Sequence, residues 1–421
     1  MVKVLNIGLV GLGTIGSGVI EILQKNSLLI EKRTGVRIVL KSVCDVNIKR
    51  AKELGVEGIL VKDYKKILED KEIAVVVELI GGYEPAHTII ADSLRAGKNV
   101  VTANKAVIAK HGYELFALAQ KNKANILFEA AVCGCIPIIR TIEESYSSDN
   151  IQSIYGIVNG TTNFILTRMS EGMSYADALK KAQELGFAEA NPAFDVEGKD
   201  AAQKIFLLAA LAFDAKISEE VLTFGITKIT QKDIEYAKDL GYAIKLLAVA
   251  KKENSEIELR VHPALVPMNH IFSRINNEVN AVLLSGKQTG EIFLSGKGAG
   301  KLPTATVVVT DLIEMASRSR VTQRFFEDVK LKPFSQTISK FFIRLDVDDK
   351  PGVLASIALV FKDEGISLAA VEQKSSDGVT ASLVMLTHKT TQGRIDKAVQ
   401  KFKLIPQIKE EVAVIRIEDF N

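Results

Sequence analysis

Apolar residues along this chain fall into two rhythms. Short β-branched runs bounded by glycine or polar residues predict buried strands, and apolar positions three and four apart predict helices. Residues 4–10, VLNIGLV, form such a strand and lead through a glycine cluster into the helical pattern SGVIEILQK. Four more strand-like runs follow: VRIVLKSVCD, ending at Asp45, IAVVVELIGG at 73–82, KNVVTANKA at 98–106 and ANILFEAAV at 124–132. Amphipathic stretches such as EPAHTIIADSLRAG separate them. Strand and helix in alternation predict an α/β fold with a doubly wound parallel sheet.

Beyond residue 150 the pattern changes. SIYGIVNGTTNFIL at 153–166 predicts a strand, a turn at Asn159-Gly160 and a helix opened by Thr161 or Thr162. SYADALKKAQELGF is a further helix, and IFLLAALAF continues another one that is apolar almost all round. From about residue 242, two stretches read as hairpins, YAIKLLAVAKKENSEIELRVHPALV and EVNAVLLSGKQTGEIFLSGKGAG, which predicts a separate α+β lobe with a mixed sheet. Charge and a proline mark residues 323–340 as a linker, and the order of elements after it is βαββαβ, a ferredoxin-like module. The expected domains are 1–135, 136–301 and 341–421, with a helix at 302–320 packing back on the first.

Composition narrows the class. A chain of 421 residues suggests two or three domains, and 47% hydrophobic with 25% charged residues is ordinary globular usage. Lys+Arg of 54 against Asp+Glu of 51 leaves a net charge of +3 and no dense basic run, which argues against nucleic acid as a partner. No run reaches the roughly 18 to 20 apolar residues that cross a bilayer, and the N-terminus lacks the build of a signal peptide. Three cysteines, Cys44, Cys133 and Cys135, make no disulfide framework. A cytoplasmic protein that binds no membrane is expected.

Candidate chemistry begins at Gly11-Leu12-Gly13-Thr14-Ile15-Gly16, placed between the first strand and the first helix. Gly11 permits a tight turn, Gly13 lets backbone approach a pyrophosphate at the helix N-terminus, and Gly16 lets helix and strand pack closely. This predicts a Rossmann-type dinucleotide site. Asp45 ends the second strand, where an acid accepts from an adenosine ribose and so favours NAD. Lys49 and Arg50 follow, either to meet a 2′-phosphate or as a solvated helix face, so NAD and NADP both remain open. Ligands of such sheets sit at the carboxyl ends of strands, and Lys105 lies at one of them.

The second centre is GFAEANPAFDVEGKDAAQK at 186–204. Asp200 and Lys204 are four apart and share a helix face. On an exposed helix they would form an ion pair of a few tenths of a kcal/mol, but the apolar run that follows predicts burial. A buried lysine trades protons readily, and Glu189 with Asp200 is placed to hold a substrate ammonium group. Asp195 and Glu197 are expected on the loop surface. Gly296, Gly298 and Gly300 precede a helix, as a hinge or as a close approach to cofactor.

These motifs, GLGTIG at 11–16, TANKA at 102–106, NGTTNFIL at 159–166, the stretch 186–204 and GKGAGKLPTA at 296–305, make the whole chain resemble homoserine dehydrogenase. DVDDKPGVLASIA at 346–358 is similar to the effector-binding opening of an ACT domain. The resemblance implies reversible reduction of L-aspartate 4-semialdehyde to L-homoserine by NAD(P)H, in the synthesis of threonine, methionine and isoleucine. It implies Lys204 as proton donor, Lys105 as second acid/base, and Glu189 and Asp200 as substrate ligands. Cofactor contacts would come from Gly13, Thr14, Ile15, Gly16, Ala103, Lys105, Gly186 and Gly298. It also implies a monovalent cation, usually sodium, on Glu129 and the carbonyls of Val132, Gly134 and Ile136, where this chain reads EAAVCGCIP with Cys133 and Cys135 in the loop. A monofunctional enzyme, threonine feedback through the ACT domain and a homodimer or larger assembly joined through the mixed-sheet lobe are further expectations. A non-catalytic sensor of nucleotide and amino acid, and a related semialdehyde reductase, are the competing readings.

Overall fold

The computed structural model describes residues 2–318, 321–376 and 378–420. Its backbone gathers into two compact units: Met1–Ile151 with Gln203–Ser218 and Asn280–Asp328, and Gln152–Ala202 with Glu219–Val279 and Val329–Asn421. Among the described residues no helix is long and apolar enough to cross a membrane.

The first unit is built on a parallel sheet of β1 (Lys3–Val10), β2 (Val36–Cys44), β3 (Leu60–Val61), β4 (Val75–Glu78), β5 (Asn99–Thr102) and β6 (Ile126–Leu127), in the order β3-β2-β1-β4-β5-β6. The chain reverses its direction of winding between β1 and β4, and that switch point opens a crevice at the carboxyl ends of the strands. Strand β6 is shorter than the apolar run 124–132 predicts: Phe128 leaves the extended region at ψ 31°, and Glu129–Ala131 turn as a 3-10 helix. The core is continuous from Ile7, Leu9, Val75 and Val101 on the strands to Val19 and Ile20 of the helix Thr14–Thr34. Ala305, Val308 and Leu312 complete it from the helix Lys301–Ser317. That helix is the one expected at 302–320, and residues 319 and 320 lie outside the described ones. Gly18 brings the two helices together, since a Cβ there would fall 2.9 Å from the Ala305 Cβ and 3.0 Å from the Lys301 carbonyl oxygen. The hairpin of Val279–Gly286 and Gly290–Lys297 appears as predicted.

In the second unit one mixed sheet runs through Ile151–Ile157, Tyr242–Glu253, Glu256–Pro267, Ala413–Ile417, Ile338–Asp348, Thr380–Thr387 and Leu368–Ser376. The last four strands, with helices Val353–Asp363 and Gln392–Phe402, form the expected βαββαβ module around Phe341, Ile343, Ile357, Phe361, Ile395 and Phe402. Its strand Ala413–Ile417 pairs on one side with Ile338–Asp348 and on the other, in parallel, with Glu256–Pro267 through Ala264↔Arg416 and Leu265↔Ile417. The module therefore extends the middle sheet. The segment 323–340, expected as a linker, is more ordered than that: it holds the two-residue strands Glu327–Asp328 and Lys330–Leu331 and the start of Ile338–Asp348. Lys330 and Leu331 pair with Glu256 and Ile257, which fixes a stretch that its charge and proline alone would leave loose.

Candidate active site

The glycine loop leaves β1 at the switch point and opens the helix Thr14–Thr34. Gly11 has φ +104°, and a Cβ there would fall 2.8 Å from the Leu79 carbonyl carbon and oxygen. Gly16 is equally constrained, because a Cβ would overlap the Gly11 carbonyl oxygen. Around Gly13 a Cβ would meet nothing within 4 Å. Gly13 caps the helix without a side chain, and the first turn carries no acid. Free amides with open space before them suit a pyrophosphate, so the residues present fit a dinucleotide. Asp45 lies beside this loop: its Oδ2 accepts from the Leu12 amide at 2.5 Å and its Oδ1 from the Asn47 amide at 2.7 Å. The carboxylate expected at a ribose thus also ties the glycine loop to the end of β2. Lys49 is exposed, and Arg50 pairs with Glu53 at 2.9 Å.

At the ends of β4 and β5 a buried network sets the position of Lys105. Glu78 Oε1 accepts from the Ile80 amide at 2.8 Å, and its Oε2 accepts from Thr102 Oγ1 at 2.7 Å. Thr102 Oγ1 in turn accepts from the Asn104 amide at 3.0 Å. Asn104 caps the helix Lys105–Lys121 by accepting from Val107 and donates its Nδ2 to the Gly82 carbonyl at 2.8 Å. Lys105 is the first residue of that helix, half-buried, next to Ala103. Sequence reasoning found the lysine and missed Glu78, Thr102 and Asn104. The only local signal was a glutamate inside an otherwise apolar strand.

Helix Lys199–Ala212 carries Asp200 and Lys204, 6% and 9% exposed, and no residue from Asp200 to Phe213 is exposed. The expected burial of this face is what the chain adopts. Asp200 Oδ2 accepts from Asn159 Nδ2 at 2.9 Å, and Asp195 Oδ1 accepts from the same nitrogen at 2.7 Å. Asp195 is therefore not a loop-surface residue; it sits half-buried on the short helix Ala193–Val196, drawn in by the Asn159 amide. The helix Gly160–Ser170 likewise differs from expectation. Its cap is Asn159, whose Oδ1 accepts from the Thr162 amide at 2.8 Å, whereas Thr162 Oγ1 turns back to the Asn159 carbonyl and Thr161 Oγ1 to the Phe187 carbonyl. Asn159 thus serves two acids and a helix end at once. Glu189 and Gly186 are exposed in the loop that follows helix Tyr175–Glu184, Gly186 with φ +75°. Glu197 is exposed as expected.

The loop after β6 is tightly curled. Cys133 and Gly134 both take positive φ, 56° and 55°. A Cβ on Gly134 would fall 2.5 Å from the Gly298 carbonyl, and one on Gly298 would overlap the Asn280 side chain, so both glycines are required by close packing. Glu129 is buried, its oxygens accepting from the amides of Ile139 at 2.8 Å and Arg140 at 2.7 Å. Burial pushes its carboxyl up to about 7 in spite of those two amides. No backbone amide among the described residues donates to the carbonyls of Val132 or Gly134, while the Ile136 carbonyl accepts from the Ile138 amide at 2.8 Å. Two available carbonyls with a buried carboxylate form a hard-donor set that fits a monovalent cation. Cys133 is buried and Cys135 exposed, and neither is in a disulfide.

A cavity of about 890 Å³ lies elsewhere, in the second unit, lined among others by Thr227, Asp233, Arg344, Ile395, Val414 and Arg416. Glu197 and Lys199, from the stretch 186–204, also reach its wall. In the C-terminal module Gly352, at φ +90°, caps the helix Val353–Asp363, and the Asp348 carboxylate is held below its ordinary range by hydrogen bonding to Lys409 and Lys350.

Comparison with known proteins adds to this geometry. The family described as homoserine dehydrogenase matches residues 137–313, its NAD-binding domain matches 11–129, and the ACT domain matches 341–403. The chain is 39% identical to the homoserine dehydrogenase of Neisseria gonorrhoeae over 433 residues, covering 100% of each. It is 40% identical to that of Bacillus subtilis over 427 residues, covering 99% of each. Among solved structures, a homoserine dehydrogenase from Thiobacillus denitrificans superposes with a TM-score of 0.93 at 38% identity, covering 100% of this chain and 99% of that one. A hyperthermophilic archaeal homoserine dehydrogenase, a mutant in complex with NADPH, matches 76% of this chain at 27% identity with a TM-score of 0.65. With family models matching 11–129 and 137–313 and relatives of about 40% identity covered end to end, the chain belongs to the homoserine dehydrogenase family.

Proposed function

We propose that the chain catalyses the reversible reduction of L-aspartate 4-semialdehyde to L-homoserine with NADH or NADPH. The observation that carries this reading is a lysine, Lys204, buried one helical turn from a buried aspartate on a helix with no exposed face. A nicotinamide cofactor, when bound, supplies or accepts the hydride. Lys204 gives a proton to the carbonyl oxygen as it becomes an alkoxide, and takes it back in the reverse direction. Lys105, held by the Glu78–Thr102–Asn104 network, orients the same oxygen as a second acid/base. Glu189 and Asp200 bind the substrate ammonium, with Asn159 keeping the Asp200 carboxylate in place. Gly11, Gly13, Thr14, Ile15 and Gly16 take the pyrophosphate, Asp45 the adenosine ribose, and Ala103, Gly186 and Gly298 line the cofactor.

Glu129 with the carbonyls of Val132, Gly134 and Ile136 is the seat of a sodium ion in this reading; Val132 and Gly134 are the stronger carbonyl donors because the Ile136 oxygen already serves Ile138. The ion would brace the loop that carries Gly134 against Gly298. The C-terminal module takes an amino-acid effector, L-threonine, at the loop around Gly352, and the assembly is a homodimer or larger.

Initial rates with L-homoserine and each of NAD+ and NADP+ test the activity and assign the cofactor. Reduction of either cofactor that depends on homoserine is expected. A pure, folded protein inactive with both would overturn the reading and favour a sensor. An unchanged rate across a full titration of L-threonine would remove the effector assignment alone.

A further inference from the structure

We propose that His87, His111 and Glu114 form a site for a divalent transition metal of the zinc class, separate from the Glu129 loop and from the lysines of the reaction. His87 lies in the first turn of helix Ala86–Arg95, and His111 and Glu114 lie one turn apart on helix Lys105–Lys121, so they share a face. The chain has only five histidines. Two of them stack here, ring centroids 4.1 Å apart and planes 26° from parallel.

The donor atoms converge. His87 Nε2 and His111 Nδ1 are each 4.0 Å from Glu114 Oε2, and the three atoms lie within 4.8 Å of one another. Tetrahedral zinc with bonds of about 2.0–2.2 Å holds its donors about 3.3 Å apart. Glu114 Oε2 is under an ångström too far from each imidazole, and its side chain, 61% exposed, has the freedom to close that distance, while the two imidazole nitrogens, within 4.8 Å of each other, close by up to about 1.5 Å through ring rotation.

The surroundings prepare His87 as a ligand. Its Nδ1 lies 3.1 Å from Glu84 Oε1, and Glu84 is itself anchored, its Oε2 accepting from Thr88 Oγ1 at 2.8 Å. A carboxylate at Nδ1 keeps the proton there and leaves a lone pair on Nε2. That Nε2 is buried and has no hydrogen-bond partner among the described residues. A lone pair withdrawn from water and aimed at a second imidazole and a carboxylate is costly unless something cationic accepts it. The nearby cation Lys110 is turned to the Tyr83 ring, 4.8 Å from its centroid. Two imidazoles and one carboxylate are borderline donors that suit zinc or cobalt better than magnesium or calcium. Three protein ligands leave a fourth position for water.

Cobalt(II) titration of the full chain, stripped with chelator, tests the site. One equivalent should bind with the visible ligand-field bands of a tetrahedral nitrogen/oxygen centre and no sulfur-to-metal charge transfer, and zinc should displace it. His111→Asn and Glu114→Gln should each weaken binding more than about 100-fold, and Glu84→Gln, which touches only the outer partner, about 10- to 100-fold. Zinc should raise the melting midpoint of the wild type and not of Glu114→Gln, a surface change that leaves the fold intact. Absence of saturable binding, a thiolate band that assigns the metal to Cys135, or equal affinity in wild type and variants would overturn the proposal.

Discussion

At the scale of single residues the site rests on side chains whose burial departs from their type. Lysine and aspartate are almost never nearly buried without a reason, and Lys204 and Asp200 are both in that state on one helix. Replacing Lys204 by methionine keeps the volume and the helix but removes the proton. Turnover should fall about 10²- to 10⁴-fold, while cofactor binding, followed by quenching or enhancement of nicotinamide fluorescence, stays at the wild-type value. Turnover within a few-fold of wild type would pass the role to Lys105 or water. The pair was legible in the sequence because the apolar run after it predicts burial. Asn159 and Asp195 were not, because two threonines beside Asn159 offered the more ordinary caps and Asp195 stands in a polar loop, 36 residues from the amide that binds it. Glycines were the most legible residues, since the turn at Gly11 and the contact between Gly16 and Gly11 are local demands. Gly18 was missed because the helix it meets lies almost 300 residues on, at Lys301 and Ala305.

Elements depend on a second set of polar groups that periodicity does not report. Lys245 sits on the strand Tyr242–Glu253, in the middle of what reads as an apolar run, and is buried. Its ammonium donates to the Ile275 carbonyl at 2.5 Å and to Asn276 Oδ1 at 3.0 Å, which fastens the loop before strand Val279–Gly286. Lys245→Met would leave those acceptors unpaired and should cost about 2–4 kcal/mol in urea unfolding. Burial pushes the Lys245 ammonium down from 10.5 to about 8. The folded chain then binds fewer protons than the unfolded one between these values, so wild-type stability rises with pH there. The gap between wild type and variant should widen from pH 8 toward pH 10; a constant gap would show that Lys245 is charged throughout. Asp149 is lowered as well, but here hydrogen bonds favour the charged form. Against desolvation, the largest single influence and an upward one, the amides of Thr289, Gln288 and Asn150 and the Thr289 hydroxyl together bring its carboxyl down to about 2. That contribution is present above the ordinary value of 3.8 and is lost as pH falls toward 2, so the melting midpoints of wild type and Asp149→Asn should differ at pH 7 and converge at pH 2. Both hairpins were predicted from alternation and turn residues. The groups that pin them were invisible because each partner lies 30 to 140 residues away.

Across the whole molecule the C-terminal module was read correctly as βαββαβ, and its attachment was misread as a linker. The reason is physical: strand order inside the module follows from short connections, whereas pairing of Ala413–Ile417 with Glu256–Pro267 is a contact across some 150 residues that no local pattern encodes. The seam contains a buried ionic cluster. Glu418 accepts from Arg260 at 2.5 Å, with His262 Nε2 at 3.5 Å and Lys251 at 3.7 Å, and Arg260 also pairs with Glu258. Burial alone would raise the Glu418 carboxyl, yet Arg260 holds it well below the ordinary range, while His262, desolvated, is pushed down to about 4 and stays neutral. Removing one partner of such a buried pair leaves an uncompensated charge and costs about 3–5 kcal/mol. Because the cluster joins strands of both sheet segments, Glu418→Gln should loosen them together: hydrogen exchange should accelerate in parallel over 256–267, 338–348 and 413–417, with a single unfolding transition. Loss of protection confined to 338–417, with 256–267 unchanged, would mean that the module melts on its own and that the shared sheet does not couple it to the middle of the chain.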